Sequence, residues 1–184
     1  TGDGDYLNPQ PIKQVSGSNY VDYSWTVLST NANSSHVAAI RSDNILFTWG
    51  LGASGVLGDG TTVSKSSPVQ IGSSSWIAVS AGTSHTLGIL SDKTLFAWGL
   101  NSSGQLGDGT TVNKSSPVAV AGITSPALMI APNPIGTQSW TALSIGLNAT
   151  AAIRSDGMLF TWGTNSSGQL GDNTTINRSS PVQI

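Results

Sequence analysis

A chain of 184 residues that is 38% hydrophobic has enough apolar content for a core, but only 9% of it is charged, too little to dress the outside of long helices. A net charge of −2 gives no electrostatic reason to expect nucleic acid or an anionic membrane as partner. Cysteine is absent, which excludes disulfides, thiolate chemistry and thiolate zinc sites, and no apolar run is long enough to cross a bilayer. Every acidic residue is Asp; Gly, Ser, Thr and Asn fill the remaining surface, a composition suited to strands and turns.

The first residues, TGDGDYLN, contain no apolar segment of the signal-peptide kind. Residues 1–15 parallel a phrase that returns later. Gly2, Asp3 and Gly4 fall on Gly107, Asp108 and Gly109, and with a one-residue gap Pro11 and Ile12 fall on Pro117 and Val118. The chain therefore opens with a partial repeat. Its Tyr6, Leu7, Pro11, Ile12 and Val15 are expected assembly contacts, in a segment that completes a sheet in a neighbouring subunit, lies on the first full unit, or is a disordered tail.

Three full units follow, at residues 24–71, 75–120 and 139–184. Each opens on Ser-Trp (Trp25, Trp76, Trp140) and a short apolar stretch. A second apolar run ends at IRSD, ILSD or IRSD, and a third reads LFTWG, LFAWG or LFTWG. Two apolar runs joined by a short turn at Asp43, Asp92 or Asp156 predict a β-hairpin. A Gly-rich loop comes next, then a last short strand around Pro-Val. The period of roughly 50 residues is that of propeller-type repeats. In MLFTWG both faces of the strand are apolar, which suits sheets stacked face against face. The expected fold is all-β: antiparallel blades forming an open or incomplete β-propeller of about three to four blades. Trp25, Trp49, Trp76, Trp98, Trp140 and Trp162, with Phe47, Phe96 and Phe160, are its expected core. Residues 123–136, ITSPALMIAPNPIG, interrupt the repeat; their prolines disfavour a central strand, and Leu128, Met129 and Ile130 are expected assembly contacts, the alternative being that the insertion folds back over its own blade.

The recurring polar residues read as structural. His36 and His85 occupy equivalent positions where the third unit has Ala149, so a hydrogen-bonded structural histidine is expected there, not a base or metal ligand. Asp3, Asp59, Asp108 and Asp172 recur singly among Gly and Thr. Calcium loops gather several oxygen side chains, so these aspartates are expected to cap turns. The Gly-rich loop lacks the Lys and the following helix of a phosphate loop. No asymmetric carboxylate pair or nucleophile constellation stands out, and no catalytic residue, metal site or cofactor is predicted. Asn33, Asn101, Asn113, Asn148, Asn165, Asn173 and Asn177 each begin an Asn-x-Ser/Thr sequon and are candidate glycan acceptors.

The features G-x-x-x-H (Gly82 to His85, one residue short in spacing), S-D-x-x-L-F-x-W-G-x-N-x-x-G-Q-L-G and the later Pro-Val strand together resemble the regulator of chromosome condensation repeat family. The resemblance covers nearly the whole chain outside residues 123–136. It implies a β-propeller, seven-bladed in that family, whose best-known member is a guanine nucleotide exchange factor for the small GTPase Ran. Three units and a fragment leave apolar faces at both ends of an open array. The expected function is accordingly a non-enzymatic module that joins copies of itself head to tail, in an extracellular fibre, pilus-like filament or adhesin, with no nucleic acid and no membrane insertion. The alternative is a partner-binding propeller fragment, exchange-factor-like in character.

Overall fold

The structure, a computed structural model, describes residues 23–120 and 139–184. The assembly contacts expected at Tyr6, Leu7, Pro11, Ile12, Val15, Leu128, Met129 and Ile130, and the turn expected at Asp3, lie outside the described residues.

Each unit is one four-stranded antiparallel sheet, with its strands side by side in chain order. The first blade holds β1 (Trp25–Ser29), β2 (His36–Arg41), β3 (Leu46–Gly50) and β4 (Lys65–Gln70). The second holds β5 (Trp76–Ala81), β6 (His85–Leu90), β7 (Leu95–Gly99) and β8 (Lys114–Ala119). The third holds β9 (Trp140–Ile145), β10 (Ala149–Arg154), β11 (Leu159–Gly163) and β12 (Arg178–Gln183). The prolines of the last strands, Pro68, Pro117 and Pro181, sit on a sheet edge, where the missing N–H leaves no gap in a ladder. The hairpin turns are closed by the aspartates: Asp43, Asp92 and Asp156 accept from the backbone N–H of Ile45, Thr94 and Met158.

Within each blade three aromatic rings cluster. Trp76 lies 5.9 Å from Phe96 and 5.7 Å from Trp98, and the triads Trp25–Phe47–Trp49 and Trp140–Phe160–Trp162 repeat the arrangement. In the second and third blades these rings face the preceding blade. Ala38, Ile40 and Leu46 of the first blade pack with Trp76, Val79 and Trp98 of the second. Leu87, Ile89 and Leu95 of the second pack with Trp140, Phe160 and Trp162 of the third. The core is thus two slabs between three sheets. The middle strand of the central blade, β6, is buried at every position but its last, while its counterpart β10 alternates.

One expectation about the core needs correcting. Trp25 is exposed and Phe47, Trp49 and Phe96 are only partly buried, whereas Trp76, Trp98, Trp140, Phe160 and Trp162 are buried. The reason for the first blade is positional: among the described residues no sheet lies in front of β1 to cover its aromatic face.

Candidate functional site at the blade junctions

The side chains singled out by their recurrence converge on the two junctions. His36 Nε2 lies 2.9 Å from Thr86 Oγ1 of the next blade, and Thr86 Oγ1 donates to the carbonyl of Val56 at 3.0 Å. At the second junction His85 Nε2 lies 3.0 Å from Thr150 Oγ1, which donates to the carbonyl of Gln105 at 2.9 Å. The threonine proton is committed to the carbonyl, so the imidazole must be the donor, with its proton on Nε2. Both relays are buried. Burial pushes His36 down to about 4; burial, and then the neighbouring His36, push His85 down to about 3. Both rings are therefore neutral near pH 7 and serve as hydrogen-bonding ties between sheets.

The Gly-rich loops of the first and second blades lean on the next blade. Gly58 and Gly107 lie under Trp98 and Trp162, where an added Cβ would come within 2.6 Å of each indole nitrogen. Both also have positive φ, 78° and 70°, so glycine is required twice over. Trp162 Nε1 donates to the carbonyl of Gln105 at 3.0 Å. The amides of Gly60 and Gly109 donate to the carbonyls of Ser115 and Ser179 across the junctions, each at 2.8 Å. Backbone bonds from Trp76 to Asn44 and from Trp140 to Lys93 close the far side.

Inside the loop, Asn101 is a clamp. Its Nδ2 is within hydrogen-bonding distance of Asp108 Oδ1 (3.0 Å) and of the carbonyls of Thr110 (3.1 Å) and Val112 (3.2 Å), and its Oδ1 accepts from Leu106 N. Asn165 repeats this in the third blade. Both are fully buried. This corrects their reading as glycan acceptors: the amide nitrogen that would carry the sugar is enclosed by its own loop. Asn33, Asn113, Asn173 and Asn177 are exposed and Asn148 is partly buried. In the first blade Gly52 stands at the clamp position, where a Cβ would meet the backbone of Val63.

Asp59, Asp108 and Asp172 accept from the amide and hydroxyl of the threonine two residues on. Each also meets a cation that sequence reasoning missed: Lys65 at 3.2 Å, Lys114 at 3.4 Å and Arg178 at 2.7 Å. The signal was present, since the difference between Lys114 and Arg178 in otherwise matching phrases preserves charge. The hydroxyl of Thr174 and, against partial desolvation, Arg178 and Asn165 hold the Asp172 carboxyl well below the usual carboxylate range. Thr86 and Thr150 were missed as well; they are the acceptors that give the histidines their role.

The comparisons agree with this architecture. The regulator of chromosome condensation (RCC1) repeat matches residues 43–89, 92–131 and 156–184, and a second description of the same repeat matches 76–105 and 140–169. No curated protein matches the chain. Among solved structures, human WBSCR16 is similar with a TM-score of 0.66 and 20% identity, over 89% of this chain and 40% of that one. Prp20p of Saccharomyces cerevisiae, described with its binding properties to Gsp1p and histones, is similar with a TM-score of 0.69 and 18% identity, over 87% of this chain and 38% of that one. The chain thus spans well under half the length of these structures, and at such identities the likeness is one of fold. With the repeat pattern matched over more than half of its residues and three blades locked in register, the chain belongs to the regulator of chromosome condensation repeat family.

Proposed function

We propose that this chain is a non-enzymatic, protein-binding segment of a β-propeller, the reading the comparisons favour over a fibre subunit. The recurring imidazoles and carboxylates of the described residues already hold turns, loops and junctions together. What the blades leave for a partner is their rim. The observation that carries the reading is an apolar tip repeated on every blade: Val63, Val112 and Ile176 stand at equivalent loop positions and are 60%, 63% and 61% exposed. An exposed apolar side chain at one position is ordinary; the same one on three successive loops makes a row along one rim of the array. Each tip is flanked by uncharged Thr and Ser or Asn, and the cation two residues on is paired with the loop Asp, which suits a folded protein surface better than a polyanion.

Prp20p, similar in fold, is described as binding proteins, Gsp1p and histones. We carry over only the class of ligand. The test is in-cell cross-linking and purification of the tagged chain beside a variant with Val63→Asp, Val112→Asp and Ile176→Asp. All three sites are exposed, and far-ultraviolet circular dichroism checks that the variant keeps its fold. A protein cross-linked to the wild-type rim and lost from the variant supports the reading. Capture that is unchanged in the variant overturns it.

A further inference from the structure

In the first and third blades an arginine at the end of the second strand lies over a phenylalanine of its own sheet. The guanidinium carbon of Arg41 is 4.8 Å from the Phe47 ring centroid, and that of Arg154 is 4.9 Å from the Phe160 centroid. Each guanidinium also closes on the aspartate two residues further along. Arg41 Nε donates to Asp43 Oδ1 and Arg154 Nε to Asp156 Oδ1, both at 3.0 Å, and a second nitrogen of each reaches the other carboxylate oxygen. Ring, cation and carboxylate form one unit.

The second blade keeps two of the three parts. It has the ring, Phe96, and the carboxylate, Asp92, at the same spacing, but Leu90 stands where the other blades have Arg. The turn itself is unchanged: Leu90 N donates to the carbonyl of Thr94, as Arg41 N does to Ile45 and Arg154 N to Met158. Asp92 is exposed, and among the described residues it pairs with no cation, its neighbour Lys93 included. Beside this turn the surface opens. A cleft of about 410 Å³ between the first and second blades is lined by Leu90 and Phe96 and walled by Trp76, Ile71 and Pro117. Gln70 lines it too; its Nε2 donates to the carbonyl of Gly72 at 2.8 Å, which leaves its Oε1 as an acceptor.

We propose that Phe96 and Asp92 receive the arginine side chain of a partner protein, which takes in trans the place that Arg41 and Arg154 hold in cis. Charge and shape both select it. No Lys or Arg lines the cleft, and the surface offers a ring, an apolar wall and acceptors. A guanidinium on an aliphatic stem answers all of these, because it stacks flat on a ring and meets a carboxylate through two parallel N–H groups. A purely apolar ligand would leave the carboxylate unanswered. The site lies at the opposite end of the strands from the apolar tips, since Asp92 is in the turn between β6 and β7 and Val112 in the loop between β7 and β8. A described blade flanks it on either side, so it depends neither on what borders the array nor on which protein the rim binds.

The probe is the capped tripeptide acetyl-Gly-Arg-Gly-amide, titrated into the isotope-labelled chain and followed by the nuclear magnetic resonance signals of the Phe96 ring and the Asp92 carboxylate. One exposed ion pair with one ring contact is weak, so half-saturation on the order of 1–10 mM is expected. The citrulline counterpart, of the same shape without the charge, should bind roughly tenfold more weakly, and wild-type peptide should lose about as much against Asp92→Asn. That variant keeps an oxygen to accept from Thr94 N, so the turn persists. Leu90→Arg gives the second blade the residue of the other two and should fill the site from within: the Phe96 and Asp92 signals move without peptide, and peptide no longer shifts them.

Signals that stay unmoved up to about 50 mM peptide overturn the proposal, as does citrulline peptide binding as well as arginine peptide. Equal binding to wild type and Asp92→Asn overturns it too, and this arm stands if Leu90→Arg fails to fold. Free arginine should bind no more tightly than the capped peptide. If it binds about tenfold more tightly, the site takes a small molecule and the partner arginine is overturned.

Discussion

The loops at residues 101–114 and 165–178 are nearly the same sentence, and the structure reads it in two ways. Internally they agree bond for bond. The clamp asparagine reaches its Asp at 3.0 Å in one and 2.9 Å in the other, and its Oδ1 receives the Leu N–H at 3.0 Å in both. Externally they differ. Gln105 is buried and bonded to Asn148 of the next blade, while Gln169 is exposed. A short phrase therefore encodes two separable things: the fold of the loop, which it completes alone, and a socket, which needs another blade to have any energetic meaning.

The largest separation of inner from outer sites should come from the rings that fill the sockets. Trp162→Ala removes a fully buried indole against which the inner loop rests, and should cost about 3–5 kcal/mol in urea unfolding. Trp25→Ala, at a residue 42% exposed, should cost about half as much or less. Equal losses would mean the first blade is covered as the others are.

Acid should open the junctions before it touches the loops. Both histidines are pushed below their ordinary 6.5, to about 4 and about 3, so as pH falls the unfolded chain binds the proton first. Their contribution is complete above about pH 6.5 and is lost from there down to about 4 for His36 and 3 for His85, at a limiting slope on the order of 1 kcal/mol per pH unit for each ring. The loop aspartates are held below the ordinary carboxylate range, so their loss belongs to lower pH. Unfolding midpoints between pH 7 and 5 should fall for wild type and flatten in a His36→Gln, His85→Gln variant.

A glycine pair sharpens the contrast with backbone strain held constant. Gly107 and Gly171 have φ of 70° and 74°, so alanine strains both equally, at about 1 kcal/mol. Only Gly107→Ala also drives a methyl into an indole, Trp162, and should lose about 2 kcal/mol more. The smallest difference should be at the clamp. Asn101→Ala and Asn165→Ala remove the same bonds from the same loop and should each cost about 2 kcal/mol, with no inner–outer distinction in thermal unfolding.

Much of this was legible beforehand, and the boundary is physical. Blades, hairpins and Asp turns depend on neighbours in sequence, and so Asp43, Asp92 and Asp156 could be placed from spacing alone. The junction depends on residues 50 and 65 positions apart, and nothing local marks Thr86 or Thr150 as the acceptors of His36 and His85. Asn101 and Asn165 were misread because Asn-Ser-Ser satisfies a sequon and a loop clamp equally well; burial, which decides between them, is a property of the folded loop. Trp25 was misread for the opposite reason. It repeats the pattern of Trp76 and Trp140 faithfully, but a pattern cannot say whether a sheet stands in front of it.

The backbone bonds that join Trp76 to Asn44 and Trp140 to Lys93 have a kinetic corollary. Each blade is a meander of adjacent strands that can form by local pairing, whereas every tie between blades spans a long stretch of chain, so the array is coupled only from neighbour to neighbour. Opening then has no reason to be all-or-none. It should start at the two flanks, where among the described residues only one side of each sheet is packed on another, and leave the central sheet for last. Amide hydrogen exchange should therefore run inward, with β1 and β12 losing protection early and β6 holding its protons longest.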